Sequence, residues 1–217
     1  MQEARGGLDV DPAPVALFAA GMMTLLLGLA MIGWLNGGTV IMVPLALAFG
    51  GTGQVIVGLL ELRRGNPFGF TVFTSFGGFW WYYGLLNAPI LPGGVAPMST
   101  FPLATFGWTL VMWGLFSMMM WVATFRMSAA LTVAFAWMTA AYLLLGAGAI
   151  DGVALVNHLG GAAAIGATVC AFYIAWGIVL KASWGRAVLP MGRSVAELLG
   201  APAIPPGPKP SVSDPIR

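Results

Sequence analysis

Apolar residues occur in six long runs separated by short polar or Gly/Pro-rich breaks, which predicts helices at about 13–35, 40–60, 68–86, 105–125, 128–150 and 154–180. Asn36-Gly37-Gly38 stops the first run, Gly65-Asn66-Pro67 turns the second into the third, and Asp151-Gly152 separates the fifth from the sixth. The first run starts only near Val15 and lasts a full span, so it reads as a membrane helix rather than a cleavable leader. Before it, Asp11 is placed to cap a helix whose first turn accepts Pro14. Residues 87–104 hold four prolines and no charge, which predicts an ordered or re-entrant loop close to the membrane.

The second and third runs carry a polar pattern. Gly50, Gly51, Gly53, Gln54 and Gly58 are followed, across the turn, by Thr71, Thr74, Ser75, Gly77 and Gly78. A helix that only had to sit in lipid would not need hydroxyls and glycines at helical spacing, whereas a helix lining a solute path could use both. The aromatic block Phe79-Trp80-Trp81-Tyr82-Tyr83 closes the third run and reads as an interfacial belt.

Composition turns the six runs into six membrane spans. Of 217 residues 59% are hydrophobic and 7% charged, too few charges to cover a water-soluble surface, which takes about 25%. The chain therefore divides into a cytoplasmic segment 1–12, a six-helix transmembrane domain 13–180, a post-helix segment 181–199 and a proline-rich tail 200–217 that buries too little apolar surface to order itself. Six spans put Arg5, Arg63, Arg64, Arg126, Lys181, Arg186, Arg193, Lys209 and Arg217 on one side and no basic residue on the other. That asymmetry predicts both termini in the cytoplasm. Basic residues spread over loops in this way form no nucleic-acid patch.

The missing chemistry narrows the function. No Lys, Arg, Asp or Glu falls at mid-depth in a span, which disfavours a pump or a strongly charge-coupled antiporter. One His and one Cys supply neither a metal cluster nor a catalytic triad, so no cofactor and no enzyme chemistry is expected. Neutral polar groups remain as pore-lining candidates: Thr24, Gln54, Thr71, Thr74, Ser75, Asn157 and His158. Thr24, Thr132 and Thr139 are expected to bond to a carbonyl one turn back in their own helices. Gln54 needs a partner helix or water, and serves either as helix–helix glue or as pore lining. Asn157-His158 lies at the outer end of helix six, where a neutral His can cap backbone or meet solvent. Glu61, beside Arg63 and Arg64, is expected in an interfacial ion pair.

The run Gly50-Gly51…Gln54…Gly58-Leu59-Leu60-Glu61…Gly65-Asn66…Phe68-Gly69…Phe73-Thr74-Ser75-Phe76-Gly77…Phe79-Trp80 resembles the acetate uptake transporter family, the succinate-acetate permeases of bacteria and their fungal relatives. Asp11-Pro12-Ala13-Pro14 resembles that family's Asn-Pro-Ala-Pro signature, and Gly185-Arg186-Ala187-Val188-Leu189-Pro190 matches after helix six. The resemblance implies an all-α membrane protein that assembles as a homohexamer in a bacterial inner membrane. It also implies one path per protomer for acetate and other small carboxylates, by proton symport or channel-like conduction. It places a constriction at Ala20, Phe76 and Met138, with Asn66 and Gly69 in the signature. Where the family commonly has a bulky aromatic, Ala20 removes bulk, which predicts a wider neck. Two other readings stay open: a channel for a neutral solute such as urea or a short amide, and a non-transporting sensor or assembly subunit whose glycines serve packing alone.

Overall fold

A computed structural model describes residues 10–35, 38–88 and 102–201. Most of segment 1–12, most of the proline-rich loop and nearly all of the 200–217 tail lie outside the described residues. Within them the chain is all-helical, with no strand. Its helices are α1 (Ala13–Met31), α2 (Gly38–Leu45), α3 (Gln54–Arg63), α4 (Pro67–Asn87), α5 (Leu103–Ala123), α6 (Ala129–Asp151), α7 (Ala154–Trp184) and the short α8 (Val195–Leu198). A π-helical stretch, Ala46–Gly53, joins α2 to α3 without a break. Five helical segments are long and apolar enough to cross a membrane: Ala13–Met31, Ile41–Arg63, Leu103–Arg126, Ala129–Asp151 and Ala154–Trp184. Such helices make this an integral membrane protein. At 21 residues α4 is as long, but Trp, Tyr and Gly dilute its apolar character and it is not one of the five.

The helix ends follow their cap residues. Asp11 Oδ1 accepts the Ala13 N–H at 3.0 Å, ahead of Pro14 in the first turn of α1. Asn66 Oδ1 accepts the Gly69 N–H at 3.1 Å, with Pro67 opening α4 where its missing N–H costs nothing. Gly152 and Gly185, at φ 69° and 68°, end α6 and α7 in the left-handed conformation. Helix α7 thus runs to Trp184, past the boundary expected at 180. The following segment does not stand apart: Met191 O accepts the Ala130 N–H at 2.9 Å, and Tyr173 Oη donates to Pro190 O at 2.7 Å.

Neighbouring helices are antiparallel, α1 on α7, α7 on α6, α6 on α5, and α4 on α3 and the π-helical stretch, which also packs on α1. Where they cross, glycine lets backbone meet backbone. A Cβ on Gly28 would lie 2.8 Å from Gly161 O, and one on Gly161 would lie 2.9 Å from Gly28 O; Gly107 and Gly146 repeat the arrangement between α5 and α6. The π-helical stretch frees the Leu47 carbonyl, which takes the Thr52 hydroxyl at 2.8 Å and the Trp81 indole N–H at 3.3 Å.

Between α4 and the α5–α6 pair the contact is made by rings. Phe79 meets Trp113 with centroids 5.4 Å apart and Tyr142 at 5.2 Å, both edge-on, and Phe76 stacks on Tyr142 at 5.9 Å. The aromatic block is therefore not an interfacial belt as a whole. Phe79, Trp80 and Tyr83 share one helical face and are buried, and Trp81 is the exposed member.

Candidate functional site

Helices α1, α4 and α6 run parallel, because α1 and α6 are both antiparallel to α7, and α1 and α4 are both antiparallel to the segment from α2 to α3. Their inward residues stack in layers. Of the constriction candidates, Ala20 and Met138 are half-buried and Phe76 is buried. Four residues further along each helix come Thr24, Trp80 and Tyr142, which line a small inner pocket of about 10 Å³ together with Leu27, Met138, Ala141, Leu145 and Ala164. Seven residues further along come Leu27, Tyr83 and Leu145, which line a much larger cavity of about 360 Å³. Spacings of four and seven keep side chains on one helix face and step them by roughly 6 and 10 Å along the axis.

The larger cavity lies among the ends of α1, α4, α5, α6 and α7, away from the segment carrying Arg63 and Arg64. Its lining is apolar and aromatic, with Asn157 and His158 from the first turn of α7 and the Tyr83 ring adding polar groups. Asn157 lies against Gly148, where a Cβ would come within 2.6 Å of its Oδ1; His158 is exposed. Among the described residues no Lys or Arg side chain borders either cavity.

The remaining polar candidates separate clearly. Thr24 and Tyr142 make no hydrogen bond to any described residue, so Thr24 does not take the intrahelical bond expected of it and both residues border the inner pocket. Thr132 Oγ1 does donate to Ser128 O, at 3.2 Å, whereas Thr139 Oγ1 pairs with Ser117 Oγ across to α5 at 3.2 Å. The Gln54 amide is fully buried, and neither of its polar atoms has a protein partner. Thr74 Oγ1 is buried without a partner against Gly58. Thr71 and Ser75 are half-buried on α4 and line neither cavity.

Glu61 corrects the expected ion pair. Its side chain is 2% exposed, its Oε2 accepts the Asn66 amide N–H at 2.6 Å, and its Oε1 has no partner. Arg64 turns away to donate to Val10 O at 2.6 Å, and the one ion pair among the described residues is Arg193–Glu197. The reason is geometric. Glu61 falls on the buried face of α3 with Gln54, Val57 and Gly58, where it meets the start of α4 at Gly69, while Arg63 and Arg64 fall on the exposed side. Among the described residues no three His, Cys, Asp or Glu side chains are grouped to hold a metal.

Sequence reasoning does not single out Leu27, Trp80, Tyr142 and Leu145 as lining residues. A signal was present: each lies four or seven residues beyond a constriction candidate, the helical repeat of Ala20, Phe76 and Met138.

Comparison with known proteins adds identity to this geometry. The GPR1/FUN34/yaaH family model matches residues 9–191. The succinate-acetate/proton symporter SatP of Escherichia coli K12 is 37% identical over 187 residues, spanning 85% of this chain and 96% of that protein. Acetate permease A of Emericella nidulans is 30% identical over 151 residues, 65% of this chain and 50% of that one. A solved structure of the bacterial acetate channel SatP superimposes with a TM-score of 0.76 at 36% identity, covering 84% of this chain and 99% of its own.

Proposed function

The chain belongs to the GPR1/FUN34/yaaH family, and on that premise we propose that it is a permease for acetate and related small carboxylates, moving them by proton-linked uptake through each protomer. The observation that carries this reading is the alignment of two cavities, an aromatic one of about 360 Å³ and a hydroxyl-bearing inner pocket, along the inward faces of α1, α4 and α6. A solute entering beside Asn157 and His158 would pass Thr24 and Tyr142 to reach the constriction at Ala20, Phe76 and Met138. Hydroxyls and amides can hold a carboxyl group without a fixed cation, and binding without such a cation stays weak enough for release. The relatives are named as a symporter, a permease and a channel, which supports a transport protein over an enzyme.

In the same reading α4 is the sixth span, both termini are cytoplasmic, and the protein is a homohexamer in a bacterial inner membrane. The nine basic residues on one side support the orientation, and small residues on the helix faces suit close association.

The test is uptake of radiolabelled acetate into proteoliposomes containing this protein alone, with external pH stepped downward and propionate, lactate, succinate and urea as competitors. Saturable uptake that rises at acid pH and is competed by the carboxylates is the expected result. Urea flux without acetate uptake would replace the reading with a neutral-solute channel, and silence with every solute would favour a non-transporting subunit.

A further inference from the structure

Two side chains are common to the linings of both cavities: Leu27 of α1 and Leu145 of α6. On one side of them lie about 360 Å³ of space; on the other lie about 10 Å³, at the lower edge of the roughly 10–15 Å³ that one water requires. No carboxylate fits the inner pocket as it stands, so a solute moving inward must displace one or both leucines. Leu145 is 3% exposed and lies across Gly160 of α7, where a Cβ would come within 2.8 Å of its Cγ. The missing Cβ at Gly160 is what lets this side chain lie flat against α7. Leu27 is half-buried and packs on the central core from the opposite helix.

We infer that Leu27 and Leu145 form an apolar gate between the two cavities, and that this pair selects carboxylates by chain length. The inference rests on the permease reading. Its logic is the bulk of the layers. Ala20 contributes one methyl group at the expected constriction, whereas seven residues further along α1 and α6 two leucines face the same axis. The two leucines therefore stand roughly 10 Å along the helix axes from Ala20 and Met138, toward the Asn157–His158 end. A gate of two aliphatic side chains makes no hydrogen bond to a carboxyl group, so it discriminates by size and leaves polarity to the Thr24 and Tyr142 hydroxyls behind it.

Two measurements on the full-length protein in proteoliposomes test this. The first is the ratio of butyrate to acetate uptake in wild type, Leu27→Ala, Leu145→Ala and the milder Leu145→Val, with Leu159→Ala, at an exposed position that lines neither cavity, as control. Each gate variant should raise the ratio by about tenfold, the discrimination that one or two methylenes give in an apolar site, and the control should leave it unchanged. The second measurement needs no transport. In a Cys170→Ser background carrying Thr24→Cys, a small thiol reagent added from the Asn157–His158 side should react slowly with the wild-type gate and several-fold faster when either leucine is alanine.

Unchanged ratios in the variants that still take up acetate, with unchanged labelling, would overturn the gate. Should wild type take up no carboxylate, the permease reading falls while the labelling rates still decide whether the two leucines close the inner pocket. Leu145→Val guards against a misfolded alanine variant, because it shortens the same side chain with little loss of packing.

Discussion

The glycine crossings between α1 and α7 and between α5 and α6 contrast with the aromatic seam between α4 and the α5–α6 pair. At the crossings one helix backbone closely approaches another, with Gly28 against Gly161 and Gly107 against Gly146. At the seam the helices are held apart by Phe76, Phe79, Trp113, Phe116 and Tyr142, whose centroids sit 5.2–6.0 Å apart. In lipid there is no hydrophobic drive to pull helices together, so stability comes from close backbone packing at the crossings. Rings and leucines facing an internal cavity can change rotamer without breaking a backbone contact. Crossings made by glycine hold the helices together, and on the permease reading the side chains of the interior govern what passes.

If that division is right, damage to the crossings should appear as lost protein and damage to the interior as altered flux. The largest effect is expected for Gly107→Val. An added isopropyl group, whose Cβ alone would lie 2.8 Å from Gly146 O, costs on the order of 3 kcal/mol or more and should leave little folded protein by size-exclusion chromatography. A Gly107→Val protein with wild-type thermal stability in detergent would end the distinction.

Phe79→Leu comes next. It removes three edge-on ring contacts, with Trp80, Trp113 and Tyr142, at a buried position and should lower stability by about 1–2 kcal/mol while changing selectivity among carboxylates in the uptake assay. Ala20→Phe should leave the unfolding midpoint near wild type and reduce uptake of propionate and lactate relative to acetate by about tenfold, because it adds a ring at the constriction expected with Phe76 and Met138. An unchanged ratio would remove Ala20 from the path.

Gln54→Leu sharpens the comparison from the opposite side. It deletes two buried polar atoms that have no protein partner, so thermal stability should rise by about 1 kcal/mol. Loss of acetate uptake in a stable Gln54→Leu protein would instead make this amide a contact of the solute. The smallest effect is expected for Asp11→Asn. Its side chain keeps an oxygen to accept the Ala13 N–H, so both uptake and stability should stay close to wild type, and a clear gain in flux would show that the negative charge had been repelling carboxylates.

Much of the fold was legible in residue order, and the positions where reading failed share one cause. The helices at 13–31, 103–123, 129–151 and 154–184 follow from apolar runs and their end residues, because a backbone in lipid has to satisfy its own hydrogen bonds. The Asn66 cap and the ending at Gly152 follow from local chemistry alone. The burial of Phe79, Trp80 and Tyr83 was misread as a belt because a run of five aromatics looks the same whether one helix face is covered or not. Glu61 was misplaced for the same reason: proximity to Arg63 and Arg64 in sequence says nothing about which face of α3 meets α4.

Residue types and spacing by themselves determined that the chain is helical, that it lies in a membrane, roughly where its apolar runs fall, and that those runs carry no Lys or Arg at mid-depth. Those properties depend on hydration of the backbone and on charge in a low-dielectric medium, which act residue by residue. Only the tertiary arrangement decided that Thr24 and Tyr142 share one pocket, that Leu27 and Leu145 separate it from the larger cavity, and that Gln54 is sealed away. These depend on the rotation of each helix about its axis and on which pairs cross at glycine. Such rotations are set by packing between segments more than 100 residues apart, as where Thr168 donates to Gly21 O at 3.2 Å.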